Sequence, residues 1–395
     1  MTPPLPLFPT PTLKFTMDEE LGKAIKKARE EMVAAVKSGN EANRKQFEED
    51  RKKNPKLKAP YVWSLDAPFS LAIIDLGDGG ASSTLKCGGF NADSLHYIAS
   101  GAKIAAMFAA YALRDMVWRF WAGARAAQAM VERAAGEFMV KAPPLPDLDS
   151  LLQKQVDREI LAAAPATIRA RASRAAPMVP AYDDVFTMPT TGSPIKPDFR
   201  GDFTAAMRLM IVPSDNDAAG TCIRGVGYAY LNAALAALRL PSKKGEPGVW
   251  LAGDYGNYTY VYVNTTNDAL AAQAGSAMAM AQLMAMILNN GILSAGDCGE
   301  MRALLADATR GPDQPFLSRD AMEGLKIPLA KITHAKLGRG PLDVGGHVVS
   351  ETFRLAAPRK PGRNYCVAFQ NVDNKGANLR EVAFMLLRAI EIYEG

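Results

Sequence analysis

Ser100 and Lys103 stand three positions apart at the head of an apolar run, Ile104 to Leu113. On a helix that spacing sets both side chains on one face. The lysine amine then reaches the serine hydroxyl and, if its ammonium is partly desolvated, takes the hydroxyl proton. The chemistry on offer is nucleophilic: a serine activated by a neighbouring base to form a covalent acyl intermediate. Taken alone the pair is weak, because two residue types recur by chance in 395 positions and a solvated lysine on an ordinary helix explains them as well.

The elements around the pair must position it. Upstream, Phe69 to Asp75 is a compact apolar strand closed by the turn Gly77-Asp78-Gly79-Gly80, and Thr84 to Gly89 reads as a second strand, so a hairpin leads into the serine helix. Downstream, helix continues over Met116 to Val140, with Trp118, Phe120 and Trp121 as core or subunit contacts, until Ala142-Pro143-Pro144-Leu145-Pro146 breaks it. Residues 147–200 hold a helix over Leu151 to Leu161 and an elaborated loop. Helices over Phe203 to Ile211 and Ala218 to Leu240 flank the bend Pro213-Ser214-Asp215-Asn216. A loop from Pro241 to Gly256 leads to an extended or strand segment, Asn257 to Val263. A methionine- and alanine-rich helix is expected over Asn267 to Leu288 and another from Ser294 to Leu305. Strands over Lys331 to Gly338, Val344 to Leu355 and Tyr365 to Gln370 precede a last helix, Leu379 to Tyr393. At the other end, residues 1–16 form a proline-rich arm. Met17 to Lys58 places Leu21, Ile25, Met32 and Val36 at helical spacing, an amphipathic helix laid on the domain.

That order predicts an α+β fold, one antiparallel sheet built from both chain ends with an all-helical domain inserted between them. The divisions expected are 1–60 for the arm and charged helix, 61–99 with 325–395 for the sheet subdomain, and 100–324 for the helical subdomain, elaborated near 114–200.

Composition narrows the function. A hydrophobic content of 48% over 395 residues can bury a large core. The formal charge of +5, from 46 basic and 41 acidic residues, is too small an excess to mark a nucleic-acid surface. No apolar run approaches the ~18 residues of a spanning helix, so no integral membrane segment is expected. Cys87, Cys222, Cys298 and Cys366, with His96, His334 and His347, show no metal-ligand spacing; buried free thiols are the reading, with no metal or organic cofactor. The opening MTPPLPLFPTPTLKF lacks a basic segment followed by an apolar one, so the chain as written is expected in the cytoplasm, or in the periplasm if a signal has been removed. The oligomeric state is open.

Three separated signals now line up: Ser100-Gly101-Ala102-Lys103 opening a helix after a hairpin, Ser214-Asp215-Asn216 in a bend between helices, and Lys336-Leu337-Gly338 on a late strand. The chain resembles the penicillin-recognising serine enzymes, and most of all the class A β-lactamases, which share Ser-x-x-Lys, Ser-Asp-Asn and Lys-Thr-Gly in that order. The resemblance spans most of residues 68–392. It implies a β-lactamase or transpeptidase-like fold. It also implies that Ser100 is the acylated nucleophile and Lys103 its base or relay. Ser214 would pass a proton to the leaving nitrogen, Asn216 would orient the lysine and bind a substrate amide, and Lys336 would attract an anionic substrate and hold Ser214. The N–H groups of Ser100 and Arg339 would form the oxyanion hole beside Gly338. Asp215 is expected to cap or brace the bend.

Two positions depart from the family pattern. Leu337 stands where a hydroxyl residue is usual, removing a donor for a substrate carboxylate. For deacylation the loop after the second motif offers Glu246, followed by Pro247 but with Trp250 in place of the expected asparagine; Asp254 is a further carboxylate in the same loop. The expected function is a serine hydrolase forming an acyl-enzyme at Ser100 on a small-molecule or peptide-like amide, lactam or ester. The alternative is a catalytically weak or idle member of the same fold with a binding or assembly role.

Overall fold

The computed structural model describes residues 7–56, 69–78, 82–139, 141–143, 148–170, 178–187, 196–256, 260–310, 331–343, 345–357, 359–373 and 377–395. Gly79 and Gly80 of the expected hairpin turn, residues 257–259 of the expected extended segment, and Val344 lie outside them.

Among the described residues six strands form one sheet: β1 (Lys14–Met17), β2 (Ser70–Gly77), β3 (Thr84–Phe90), β9 (Lys331–Pro341), β10 (His347–Ala356) and β11 (Asn364–Asp373), in the order β1-β3-β2-β11-β10-β9. The seam between chain ends is the antiparallel pairing of β2 with β11, Ile73 opposite Val367. The sheet is not antiparallel throughout. Part of the extended, proline-rich arm adds β1 parallel to β3, Phe15 opposite Leu85, a pairing the sequence reading did not foresee.

Helices cover both faces. On one side lie α1 (Glu19–Lys53) and α12 (Ala377–Glu394). α1 starts where Asp18 accepts the Leu21 N–H at 2.8 Å, with Glu19 and Glu20 against the positive end of the helix dipole. Leu21, Ala24, Ile25, Ala28 and Met32 repeat every three or four residues and are buried against the sheet and α12, while Arg388 on α12 grips Glu31 at 2.6 Å. On the other side α10 (Ala277–Leu288) packs against β2 and β11 and joins the sheet to the helical part.

The helical part is built on α2 (Lys103–Glu137), one continuous helix. From Ile104 to Leu113 every residue of α2 is buried, so this run is the axis of the helical core rather than a surface helix. Next in the chain come the short α3 (Leu148–Leu151), α4 (Asp157–Ala163), α5 (Ala166–Arg169) and α6 (Tyr182–Val185), with a widened turn over Leu152–Val156 between α3 and α4. The two-stranded β5 (Phe186–Thr187) and β6 (Asp198–Phe199) follow. Then come α7 (Gly201–Ile211), α8 (Asn216–Val226), α9 (Tyr228–Ala237) and α11 (Ala295–Ala308).

Two expected helices are shorter than their patterns suggest. The run from Ala218 to Leu240 breaks at Gly227, whose φ of 79° and close approach to the Met178 and Val179 carbonyls exclude a side chain. The run from Asn267 to Leu288 starts instead as β8 (Gln273–Ser276). Thr265 Oγ1 donates to Asp268 O and accepts from Asp268 N, fixing a turn there, and the helix starts only where Ser276 caps the Ala279 N–H. β8 pairs with β4 (Leu95–Tyr97) and β7 (Val249–Leu251) in a small sheet the sequence did not announce. It sits just ahead of Ser100. The extended segment is represented among the described residues by one bridge, Val263 to Ala271. No described helix is long and apolar enough to cross a membrane.

Candidate active site

Ser100 sits on a single 3-10 turn, Ala99–Ala102, inserted between β4 and α2. Ile98 N–H is anchored to Gln273 O at 3.1 Å, and Gly101 N–H folds back onto Ile98 O at 2.9 Å. Ala99 is forced to φ 47°, a left-handed value costly for a residue with a side chain. β9, the edge strand of the large sheet, runs directly past this turn. A Cβ on Gly338 would lie 2.1 Å from Ile98 O and 2.5 Å from Gly101 N, and one on Gly340 would lie 2.5 Å from the Tyr97 hydroxyl. The glycine of Lys336-Leu337-Gly338 is therefore required by backbone approach, which brings the strand edge alongside Ser100.

Lys103 is completely buried, and its ammonium is spent on the bend between α7 and α8. Nζ donates to Ser214 O at 2.6 Å and Asn216 Oδ1 at 2.8 Å, and lies 3.3 Å from Asp215 O and 3.4 Å from Ser214 Oγ. Ser214 has φ 62°, a second left-handed residue, and this conformation turns its carbonyl and its hydroxyl toward the same cation. Asp215 caps α8, accepting from Ala218 N at 2.7 Å, as expected of a residue that braces the bend. From the opposite wall Lys336, only 2% exposed, donates to Ser214 Oγ at 2.7 Å. Three segments remote in sequence thus meet at one hydroxyl. Ser100 itself is half-buried and, among the described residues, its Oγ makes no hydrogen bond, leaving the hydroxyl available.

The structure brings together Ser100, Lys103, Ser214, Asn216, Lys336 and Gly338, with Arg339 exposed on the strand edge beside them. Leu337 points the other way. It is buried with Leu21, Phe353 and Phe369 in the core beneath α1 and α12, so its side chain serves the sheet and offers nothing to the cleft.

Glu246 is not brought to the cluster. Ser276 holds both ends of its loop, N–H to Gly248 O and Oγ to Pro241 O at 2.9 Å each, so the intervening residues form an exposed turn. Glu246 is exposed on that turn, with its backbone N–H on Lys243 O. Asp254, the other carboxylate considered, is buried and held by Arg224 at 2.8 Å. Trp250 is core, its indole N–H on Val261 O.

What that loop does bring to the site is Tyr255, which sequence reasoning passed over because it sought an acid. The ring centroid lies 4.7 Å from Lys103 Nζ, and the hydroxyl donates to Ala99 O at 2.9 Å. Burial, with the neighbouring Tyr97, holds the phenol well above its ordinary pKa, so it stays a neutral donor.

Solved structures similar to the chain include a halotolerant bacterial β-lactamase (14% identity, TM-score 0.43, covering 84% of this chain and 95% of that one). A β-lactamase from Chitinophaga pinensis is similar at 14% identity and TM-score 0.42, covering 88% and 97%. PBP-A is similar at 19% identity and TM-score 0.40, covering 82% and 90%. No curated protein matches the chain. The model of the β-lactamase enzyme family matches residues 191–327, the segment that carries Ser214-Asp215-Asn216. By that match and the architecture described above, the chain resembles the serine β-lactamases and penicillin-binding proteins in its fold.

Proposed function

We propose that the protein is a serine hydrolase that forms an acyl-enzyme at Ser100 on an amide, lactam or ester substrate. The observation that carries this reading is the convergence of Lys103 and Lys336 on Ser214 Oγ beside the Ser100 turn. In the proposed reaction Ser100 Oγ attacks the substrate carbonyl and its proton passes to Lys103. Ser214, whose oxygen already accepts from Lys336, relays a proton to the leaving nitrogen or oxygen as the bond to the acyl carbon breaks. The Ser100 and Arg339 N–H groups serve as the oxyanion donors, which fits β9 being an edge strand along the turn. Buried Lys336 favours an anionic substrate.

A second reading, slow turnover, is supported by Leu337 facing the core and by Glu246 standing exposed on its turn. The test is covalent labelling. Incubation with a fluorophosphonate and with a fluorescent penicillin should give a mass increment mapped to the Ser100 peptide and absent in Ser100→Ala. Failure of both reagents to label Ser100 refutes the acyl-enzyme. Fluorophosphonate label without penicillin label narrows the substrate to compounds lacking the penicillin carboxylate.

A further inference from the structure

The loop from Pro241 to Gly256 meets the site through one aromatic side chain. Tyr255 adopts φ 61°, the third left-handed residue in direct contact with Lys103 or the Ser100 turn, after Ala99 and Ser214. Such a conformation persists in a non-glycine residue only where the surroundings hold it. Its two contacts run to the two halves of the nucleophilic pair: the ring to Lys103 Nζ at 4.7 Å, the hydroxyl to Ala99 O at 2.9 Å, one residue before Ser100. The face of an aromatic ring carries negative charge density and stabilises a cation most where water is excluded, as it is around a completely buried lysine.

We propose that Tyr255 is a positioning residue of the acyl-transfer site, its ring holding Lys103 as an ammonium against Ser214 and Asn216 and its hydroxyl tying the loop to the turn that presents Ser100. This rests on the reading of Ser100 as nucleophile. The groups facing Lys103 act in opposite directions. The Ser214 and Asp215 carbonyls, Asn216 Oδ1 and the Tyr255 ring favour the charged form. Lys336, one hydroxyl away, disfavours it. The Asp215 carboxylate is turned to its cap on Ala218 and the Asp254 carboxylate to Arg224. Lys103 gives its extra proton to solvent before it accepts the one from Ser100, so the acylation rate rises with pH through the Lys103 pKa. Weakening the ring contact lowers that pKa and moves the midpoint to lower pH.

The experiment measures the rate of Ser100 labelling by a fluorophosphonate as a function of pH. In that reaction the serine oxygen forms a bond to phosphorus, the P–F bond breaks with loss of fluoride, and the serine proton goes to Lys103. Tyr255→Phe keeps the ring and should keep the midpoint. Tyr255→Leu should move it down by about one pH unit, the size of a desolvated cation–π contact. Because the leucine variant could lose the loop, mono-, di- and trifluorinated phenylalanines at position 255 provide a series of constant shape with a progressively weaker ring face. The midpoint should fall stepwise along it. A midpoint unmoved along the fluorinated series, with Ser100 still labelled, overturns the role of Tyr255 and leaves the acyl-transfer reading standing. Absence of any Ser100 adduct in the unmodified protein overturns both.

Discussion

Lys336 and Ser214, 122 positions apart in sequence, are joined by a 2.7 Å hydrogen bond in which the ammonium donates to the hydroxyl oxygen. That bond, with Lys103 Nζ 3.4 Å from the same oxygen, makes the Ser214 oxygen an acceptor from lysine and leaves its proton to be donated elsewhere. With a lone pair occupied by Lys336, the hydroxyl is free to donate toward the cleft, where a leaving group would sit. Ser214→Ala and Lys336→Ala should each slow Ser100 labelling by the fluorescent penicillin, whose leaving nitrogen takes a proton, about 100-fold or more, the usual scale of a lost proton relay. The double variant should be little worse than either alone, since both remove one device. A double-mutant cycle on the labelling rate constants checks this, and losses that multiply would show the two residues act independently.

Gly338 makes a second, steric prediction. Gly338→Ala would set a Cβ 2.1 Å from Ile98 O and 2.5 Å from Gly101 N, backbone atoms with nowhere to retreat. β9 must then back away from the Ser100 turn. Stability should fall by about 1–3 kcal/mol and Ser100 labelling at least tenfold. Gly22 on α1 is the control, since a methyl group added there would meet nothing within 4 Å. Gly22→Ala should stabilise by about 0.5–1 kcal/mol in denaturant titrations and leave labelling unchanged.

The motifs made most of this site legible in advance. Ser100, Lys103, Ser214, Asn216 and Lys336 carry distinctive chemistry, and the strand signals on either side of them placed both chain ends in one sheet. What stayed hidden was conformational. Ala99, Ser214 and Tyr255 take left-handed values that no side-chain type announces, since each is imposed by hydrogen bonds from distant segments. β4, β7 and β8 are three or four residues long, too short for a period-two pattern to stand out. Glu246 was nominated by its neighbour Pro247, but Ser276, thirty residues on, decides where that turn points.

In the helical part, a buried charge cluster should govern acid stability. The Asp297 carboxylate is wholly inaccessible and receives Arg114 at 2.5 Å, the Ser294 hydroxyl at 2.6 Å, and Lys196. Burial alone would raise its pKa, but hydrogen bonds from Lys196, Ser294 and Arg114 outweigh that and hold it below the ordinary value of 3.8. A depressed carboxyl contributes stability that is full above the unfolded pKa and is lost as pH falls through the folded one, so this contribution disappears below pH 3.8. Asp297→Ala should cost about 3 kcal/mol at neutral pH by leaving the buried Arg114 with the half-exposed Glu300, at 3.0 Å, as its remaining described counter-charge. Urea midpoints between neutral pH and pH 3 should show the gap between variant and parent closing at the acid end.

Glu381 on α12 should do the reverse. It is 6% exposed, its Oε1 has no hydrogen-bond partner among the described residues, and burial pushes its pKa up to about 7 from 4.5. The native state therefore binds this proton more tightly than the unfolded chain. The stability that follows is fully present below pH 4.5, shrinks as pH rises, and is lost above about pH 7, where a buried carboxylate must be carried without a partner. Glu381→Gln removes the titration while keeping the shape and a neutral polar head. Its melting temperature should match the parent near pH 4.5 and exceed it at pH 8, with a gain on the order of 1–3 kcal/mol at the alkaline end. Equal melting temperatures at pH 8 would refute the destabilisation, because the Glu381 carboxylate would then be carried in the native state at no cost.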